Sequence, residues 1–480
     1  MKNKKNYLQW LVLACLVGAI QGCAIPDIVR KKVDAPLPEV YKKNDTKSTQ
    51  NVADQNWKTF FDDPNLVVLI DIAIENNKEI KILMQRISMA QNEVLARKGE
   101  YKPFVRFGAG VEKERAAKFT RNGALEEHIQ IVEEKSNPEY LGNYQFGVNA
   151  SWELDVWKKL RNATQVAVLE YMASVEGKNF LLTNLVAEIA HSYYELLALD
   201  NQMVNLEQNI QTQENALQVV KELQKFGKST SLAVKRFEAE VQKNRSLRYG
   251  LKQQIVEIEN RINFLLGRTA QPIDRNATQF MALQPKVLQT GIPSQLLEHR
   301  PDIRRAELEL KAADLNIDVA KANFYPSFTI KAGVGFQAFK PQYLLRTPES
   351  LAVSLAGDIM APLVNRNAII ATYKNANASQ IQAAYEYEQA IIQAYNEVST
   401  HVASIDNLDK NYQLKSNQVS ALNESIDVAN QLFKYARADY LEVLLTQRDS
   451  LEAKMELIET KQKQMGAMVS LYRSLGGGWQ

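Results

Sequence analysis

The sequence predicts an α+β chain built by internal duplication, with two strands and a pair of long helices in each half. Three observations predict it. Four stretches alternate apolar and polar side chains with period two, the mark of strands with one apolar face. Residues 159–271 and 363–480 contain no proline and are dominated by strong helix formers. Short motifs recur in the same order, the sign of a repeated architecture.

The first element is an export signal. Lys2, Lys4 and Lys5 precede an apolar core at residues 11–20. That core is too short for a spanning helix, which needs about 20 apolar residues. It ends in Ile20-Gln21-Gly22-Cys23, which resembles the lipobox where bacterial lipoproteins are cleaved and acylated, with Gln21 a less usual choice there. An ordinary signal peptide followed by a chance cysteine is the other reading. On the lipobox reading residues 1–22 are removed, Cys23 is lipidated and residues 23–56 form an extended N-terminal segment. The second cysteine, Cys15, lies in the removable part. One cysteine would remain, too few for a disulfide or a cysteine metal site within one chain. Several acyl chains give stable anchoring. In enterobacterial lipoproteins an Asp after the cysteine holds the protein at the inner membrane; Ala24 is compatible with outer-membrane sorting.

Charge narrows the partners. Lys and Arg total 58 against 55 acids; three of those lysines and no acid lie in residues 1–22, leaving 55 of each. There is no basic surplus of the kind nucleic-acid binders carry.

Two repeats follow, at residues 57–270 and 296–480, joined by a linker at 271–295. Each reads helix, strand, loop, strand, long helix, turn, helix, with strand hairpins at 103–154 and 326–361. At 103–112, "PFVRFGAGVE", Val105, Phe107, Ala109 and Val111 share one face, and Arg106, Gly108, Gly110 and Glu112 the other. At 326–336, "PSFTIKAGVGF", Phe328, Ile330, Ala332 and Val334 oppose Thr329, Lys331, Gly333 and Gly335. The partner strands are 143–154, where Gln145 and Asn149 alternate with Phe146 and Val148, and 350–359, a weaker pattern with Leu351, Val353 and Leu355. The loop at 116–142 is long and charged; that at 338–349 is short.

The helices repeat as well. "LQKFGKSTSL" at 223–232 aligns with "LFKYARADYL" at 432–441, and without a gap "LLG" at 265–267 aligns with "SLG" at 474–476. Leu451, Met455, Ile458, Gln462, Met465, Val469 and Tyr472 step by four and three, a coiled-coil seam. A helix over 160–225 would be about 100 Å long. A globular enzyme has little use for that length; a structure bridging a wide compartment does.

Four strands cannot close a membrane barrel, which needs at least about eight, and open edges cannot sit in lipid. If these strands cross a membrane, several chains build one barrel; three chains give twelve strands. Arg106, Gln145, Asn149 and Lys331 would then line the lumen, where the lone glycines reduce bulk. Phe107, Phe146, Val148, Ile330 and Val334 would meet lipid. A soluble two-hairpin sheet packed on helices alternates equally well. The lipobox, the duplication and the helix length favour the barrel.

Five motifs in order carry a family resemblance over nearly all the mature chain: "WKTFFDDPNL" at 57–66, "SWELDVWKKLRNA" at 151–163, "LLEHRPDIRRAE" at 296–307, "ANFYPSF" at 322–328 and "LYRSLGGGW" at 471–479. The chain resembles the TolC-like outer membrane factors, and within them the NodT-type lipoproteins that serve RND efflux pumps. The resemblance implies an α+β membrane protein. It would be a homotrimer whose 12-stranded outer-membrane barrel continues into a long periplasmic α-helical barrel. It implies docking with a periplasmic adaptor and an inner-membrane RND transporter, with no cofactor and no chemistry.

The resemblance also implies sites. The turns Gly227-Lys228-Ser229-Thr230 and Ala436-Arg437-Ala438-Asp439 would form the periplasmic tip and contact the adaptor; helix-turn-helix chemistry alone would explain the same residues. Relatives often carry an aspartate directly before "AQR", narrowing the closed pore, where this chain has Leu445 and then Thr446. Leu441 and Leu445 are four apart, on one helical face. They would either constrict the pore and gate by dewetting or pack between helices. His128, His191, His299 and His401 are scattered, and HExxH, GxSxG and the P-loop are missing, so no catalytic or metal site is expected. "HRPD" at 299–302 reads as a helix start, with Pro301 in the first turn and Asp302 at its positive end. The expected function is passive efflux of drugs, toxic compounds or metal ions. Type I protein secretion and a structural, periplasm-bridging lipoprotein are the alternatives.

Overall fold

The computed structural model describes residues 25–41, 50–131, 137–286, 289–435 and 437–479. Cys23, the segment before it and Ala436 lie outside them. In chain order the helices are α1 (Pro64–Asn76), α2 (Lys78–Glu100), α3 (Arg121–His128), α4 (Lys159–Lys225), α5 (Ser231–Leu265), α6 (Pro301–Ala322), α7 (Asn367–Lys434) and α8 (Tyr440–Ser474). Single helical turns stand at Trp57–Phe60 and Leu296–His299. The strands are β1 (Phe104–Glu114), β2 (Leu141–Leu154), β3 (Ser327–Ala338) and β4 (Leu351–Met360). Among the described residues, no helix is long and apolar enough to cross a membrane.

One compact unit takes in residues 89–171 and 308–384 with the N-terminal segment up to Lys32. Its centre is an antiparallel sheet in the order β1-β2-β3-β4. Pro103 and Pro326 stand just before β1 and β3, where a missing N–H costs no ladder bond. The ladder outruns the alternation: Glu112, Lys113 and Glu114 pair with Asn143, Gly142 and Leu141, because main-chain groups pair whatever the side chains. The charged loop after β1 contains α3, which the sequence reading treats as plain linker. Thr120 Oγ1 caps it, accepting from the Gly123 N–H at 3.2 Å.

The N-terminal segment in this unit is extended and held by side chains. Ile25 and Ile28 pack on Ile317, Phe324 and Tyr373. The buried Gln380 amide grips the main chain of Lys31 at both groups, accepting from its N–H at 2.9 Å and donating to its carbonyl at 2.8 Å. Arg30 pairs with Asp314 and Asp318.

The second unit takes in residues 33–88, 172–307 and 385–480. "WKTFFDDPNL" supplies its aromatic centre. Phe60 stacks on Tyr472 at 3.9 Å, and the Tyr472 hydroxyl donates to the Gln55 carbonyl at 2.6 Å. Asp63 caps α1 and also accepts from the Tyr193 hydroxyl at 2.8 Å. The last turns of α8 are buried more widely than a seam predicts. Gly466 and Ala467 are buried along with Met465 and Val469, with His191 of α4 against Gly466 and Phe60 stacked on Tyr472 farther along.

The two repeats make the same joint inside this unit. The Asn77 amide donates to the Leu265 carbonyl at 2.9 Å, and a Cβ on Gly267 would lie 2.4 Å from the Asn76 carbonyl oxygen. In the second repeat Arg300 donates to the Ser474 carbonyl at 3.0 Å, and a Cβ on Gly476 would lie 2.4 Å from the His299 carbonyl oxygen. Gly267 and Gly476 have φ of +68° and +98°, a region that favours glycine. Arg300 is buried and also pairs with Asp302 and Glu397, at 2.6 and 2.8 Å. "HRPD" is therefore a helix-joining motif: α6 begins at Pro301, and Arg300 ties that start to the end of α8.

His191 on α4 faces this core, its Nε2 3.1 Å from Ser470 Oγ. Burial, reinforced by the positive charge of Arg473, pushes its pKa down to about 4. The unfolded chain takes up a proton near 6.5 and the folded chain only near 4, so stability falls as pH drops through that window. Between pH 7 and pH 4 the wild type should lose about 3 kcal/mol more stability than His191→Gln, read from urea unfolding at both pH values. Equal losses would mean that the imidazole is not held neutral.

Candidate functional site

The register brings the four polar strand faces onto one side of the sheet. Arg106, Asn149, Gly333 and Ser354 form one row across it, and Phe107, Val148, Val334 and Val353 form a row on the other side. Gln145 pairs with Gly110 and Gln337, and Lys331 with Ser151 and Ala356, on the same side as Arg106. All four residues singled out from the sequence thus share one face. Phe107, Val111, Val353 and Leu355 on the opposite face are each more than two-thirds exposed, a contiguous apolar surface that water does not favour.

Small residues fill one row of the polar face: Gly108, Gly147, Gly335 and Ala352. A Cβ on Gly147 would come within 2.6 Å of the Val334 carbonyl oxygen, and one on Gly335 within 2.5 Å of the Phe146 carbonyl oxygen. Side chains crowd on the inside of a curled sheet, so the polar face is the concave one at this row. Toward the helices the charges on that face are matched. Lys331 Nζ lies 2.6 Å from Asp358, and Lys159 Nζ lies 3.5 Å from Glu153. Asp358 and Phe104 were not singled out from the sequence; the same period-two count that places Arg106 would have found them.

The first hairpin tip, in the second unit, closes by a regular C-cap. Gly227 has φ +68°, its N–H donates to the Gln224 carbonyl, and the Lys228 N–H donates to the Leu223 carbonyl, both at 2.9 Å. Thr230 Oγ1 then accepts from the Ala233 N–H at 3.1 Å and starts α5. Ser229 Oγ is sheltered with no hydrogen-bond partner among the described residues. The second tip repeats the outer bond, Arg437 N–H to the Leu432 carbonyl at 2.8 Å, around Ala436, which lies outside the described residues. Ala438 follows, and Asp439 precedes α8 without a side-chain cap bond. Phe226 and Tyr435, at matched positions of the two tips, are both strongly exposed, a pairing that the alignment of the repeats already contained.

Leu441 and Leu445 do not form the packed row of their helix. Val443 and Leu444 are buried, Leu444 in a cluster with Val220, Val234 and Phe237. Leu441 is half-buried and Leu445 is exposed. Among the described residues, no group of three His, Cys, Asp or Glu side chains stands together as a metal site would need.

The sequence matches the family model described as outer membrane efflux protein over residues 69–268 and 292–477. It is 27% identical to the pyoverdine export outer membrane protein OpmQ of Pseudomonas putida, across 92% of each chain. It is 25% identical to the cation efflux system protein CusC of Escherichia coli, across 97% of this chain and 98% of CusC. A crystal structure of CusC superposes with a TM-score of 0.81 at 23% identity, covering 95% of this chain and 99% of that one. The open-state MtrE channel of Neisseria gonorrhoeae superposes with a TM-score of 0.82, also at 23% identity, covering 95% and 98%.

The unequal caps give a test at the tips. Thr230→Ala should speed amide exchange in the first turn of α5 about fivefold, the equivalent of about 1 kcal/mol. Asp439→Ala should leave the first turn of α8 unchanged. Hydrogen–deuterium exchange of the tip peptides measures both.

Proposed function

Since the chain belongs to the outer membrane efflux protein family, we propose that it is the passive exit duct of a tripartite efflux system. Three copies each supply β1–β4 to one 12-stranded barrel, which continues as a helical barrel in the periplasm. The observation that carries this reading is the sheet: one concave polar face, one exposed apolar face, and unpaired edges at β1 and β4. A bilayer tolerates no open edge, and further copies of the same sheet supply the missing partners. Arg106, Gln145, Asn149 and Lys331 line the lumen. Cys23 carries the lipid that tethers each copy at the membrane.

The duct does no chemistry. An RND transporter in the inner membrane supplies the energy, and a periplasmic adaptor meets the tips around Gly227–Thr230 and Arg437–Asp439. Leu441 and Leu445, outside the packed row of α8, form the constriction. The relatives are named for unlike cargoes, pyoverdine and cations, which supports a duct whose cargo is chosen by the pump.

Mild crosslinking in cells, followed by purification of the trimer, tests the assembly. Co-purification of an adaptor with an RND transporter is expected. An ABC transporter in its place would move the function to protein secretion, and no inner-membrane partner with an intact trimer would point to a structural spacer. The constriction has its own test. Leu441→Ser with Leu445→Ser should raise drug uptake and ion leakage in cells lacking the pump; unchanged leakage would remove these residues from the gate.

A further inference from the structure

Midway along the polar face stands a cation without a counter-charge, and it sits exposed. Arg106 is exposed and makes no ion pair among the described residues. Its guanidinium lies 4.5 Å from the centre of the Phe104 ring, the side chain two residues back on the same face. That ring holds the charge by a cation–π contact without neutralising it. The neighbouring row toward the loop end is Gly108, Gly147, Gly335 and Ala352, which offers no side chain larger than a methyl. In its own row Arg106 meets Asn149, Gly333 and Ser354, all uncharged. Toward the helices the charges cancel in the pairs Lys331–Asp358 and Lys159–Glu153. The next charges on this face toward the loops are Glu112 and Glu114. Glu112 is six residues along the strand, about 20 Å away, or roughly two Debye lengths at 0.1 M salt.

From this placement we infer that Arg106 forms a cationic ring in the middle of the barrel that favours anionic solutes at that level. The inference rests on the duct reading, in which three copies place three such guanidinium groups at one height around the lumen. Solutes bearing carboxylate or phosphate groups are enriched beside the ring and cations are depleted. The small-residue row next to it leaves the charges open to the passing solute. The acidic residues nearer the loops make the mouth of opposite sign, so outgoing cargo meets the positive ring first and the negative rim after it.

The test is the chloride-to-potassium permeability ratio of the full-length trimer in a planar bilayer, from the reversal potential across a gradient of KCl around 0.1 M. Arg106→Gln should lower that ratio about twofold, and Arg106→Glu should lower it further. Arg106→Lys, which keeps the charge, should restore the wild-type value, and the differences should shrink at 1 M salt. If the Gln and Glu variants conduct with the wild-type ratio, Arg106 is not a selectivity ring and the inference fails alone. Full-length protein that purifies from the outer membrane without forming a trimer, and so inserts no pore, would overturn the duct reading, and the inference with it.

Discussion

Two unpaired strand edges are the constraint on which the rest of this molecule depends. β1 and β4 each present a row of main-chain N–H and carbonyl groups, and the sheet between them turns an apolar face outward. Neither feature is at rest in one copy alone. On the proposed reading both are resolved together, the edges by neighbouring copies and the apolar face by lipid. The glycine row matters because it lets the sheet curl with its polar side inward. Without Gly147 and Gly335 the crossing of β2 and β3 would be blocked by side chains, and closure would need another curvature.

Duplication is built into the chain at the level of joints, not of folding units. Each repeat ends its second long helix on a glycine pressed against a carbonyl, beside a polar side chain that reaches back to the helix end. Asn77 does this in the first repeat and Arg300 in the second. The substitution changes the electrostatics: Asn77 bonds as a neutral amide, whereas Arg300 brings a charge that Asp302 and Glu397 match. Yet β2 of the first repeat pairs along its length with β3 of the second. Each compact unit therefore draws on both repeats, and the four-stranded sheet is complete only when the hairpins of both pair.

The long hairpins are not uniformly apolar inside. Gln213 accepts from Asn244 at 2.7 Å between α4 and α5, both buried. Between α7 and α8, Gln447 and Gln464 are buried with Oε1 unbonded among the described residues, and Lys461 is buried with its ammonium 4.8 Å from the centre of the Tyr412 ring. Such groups give up hydration without full compensation and lower the local stability of the packing. On the proposed reading the constriction at Leu441 and Leu445 has to widen, and a helix pair with the under-satisfied amide of Gln447 within about two turns of both separates at lower cost.

Periodicity determined a good deal by itself. Period two fixed which side of each strand is polar, and with it the shared face of Arg106, Gln145, Asn149 and Lys331, because the pleat leaves no other choice once the strand exists. The helix read over 160–225 matches α4 almost to the residue, since helix propensity summed over so long a span outweighs local exceptions. The glycine in "KFGKST" announced its turn, because few other residues take positive φ cheaply. What the sequence could not decide were relations between distant segments. α3 has no strong periodic signal and is held by one cap and by the bonds that Asn137 makes to the carbonyls of Glu126 and Ile129. The buried role of Arg300, the grip of Gln380 on Lys31 and the neutral burial of His191 each need a partner tens to hundreds of residues away. A charged or polar side chain reads as surface in a sequence. Only tertiary structure supplies the partner that makes burying it affordable.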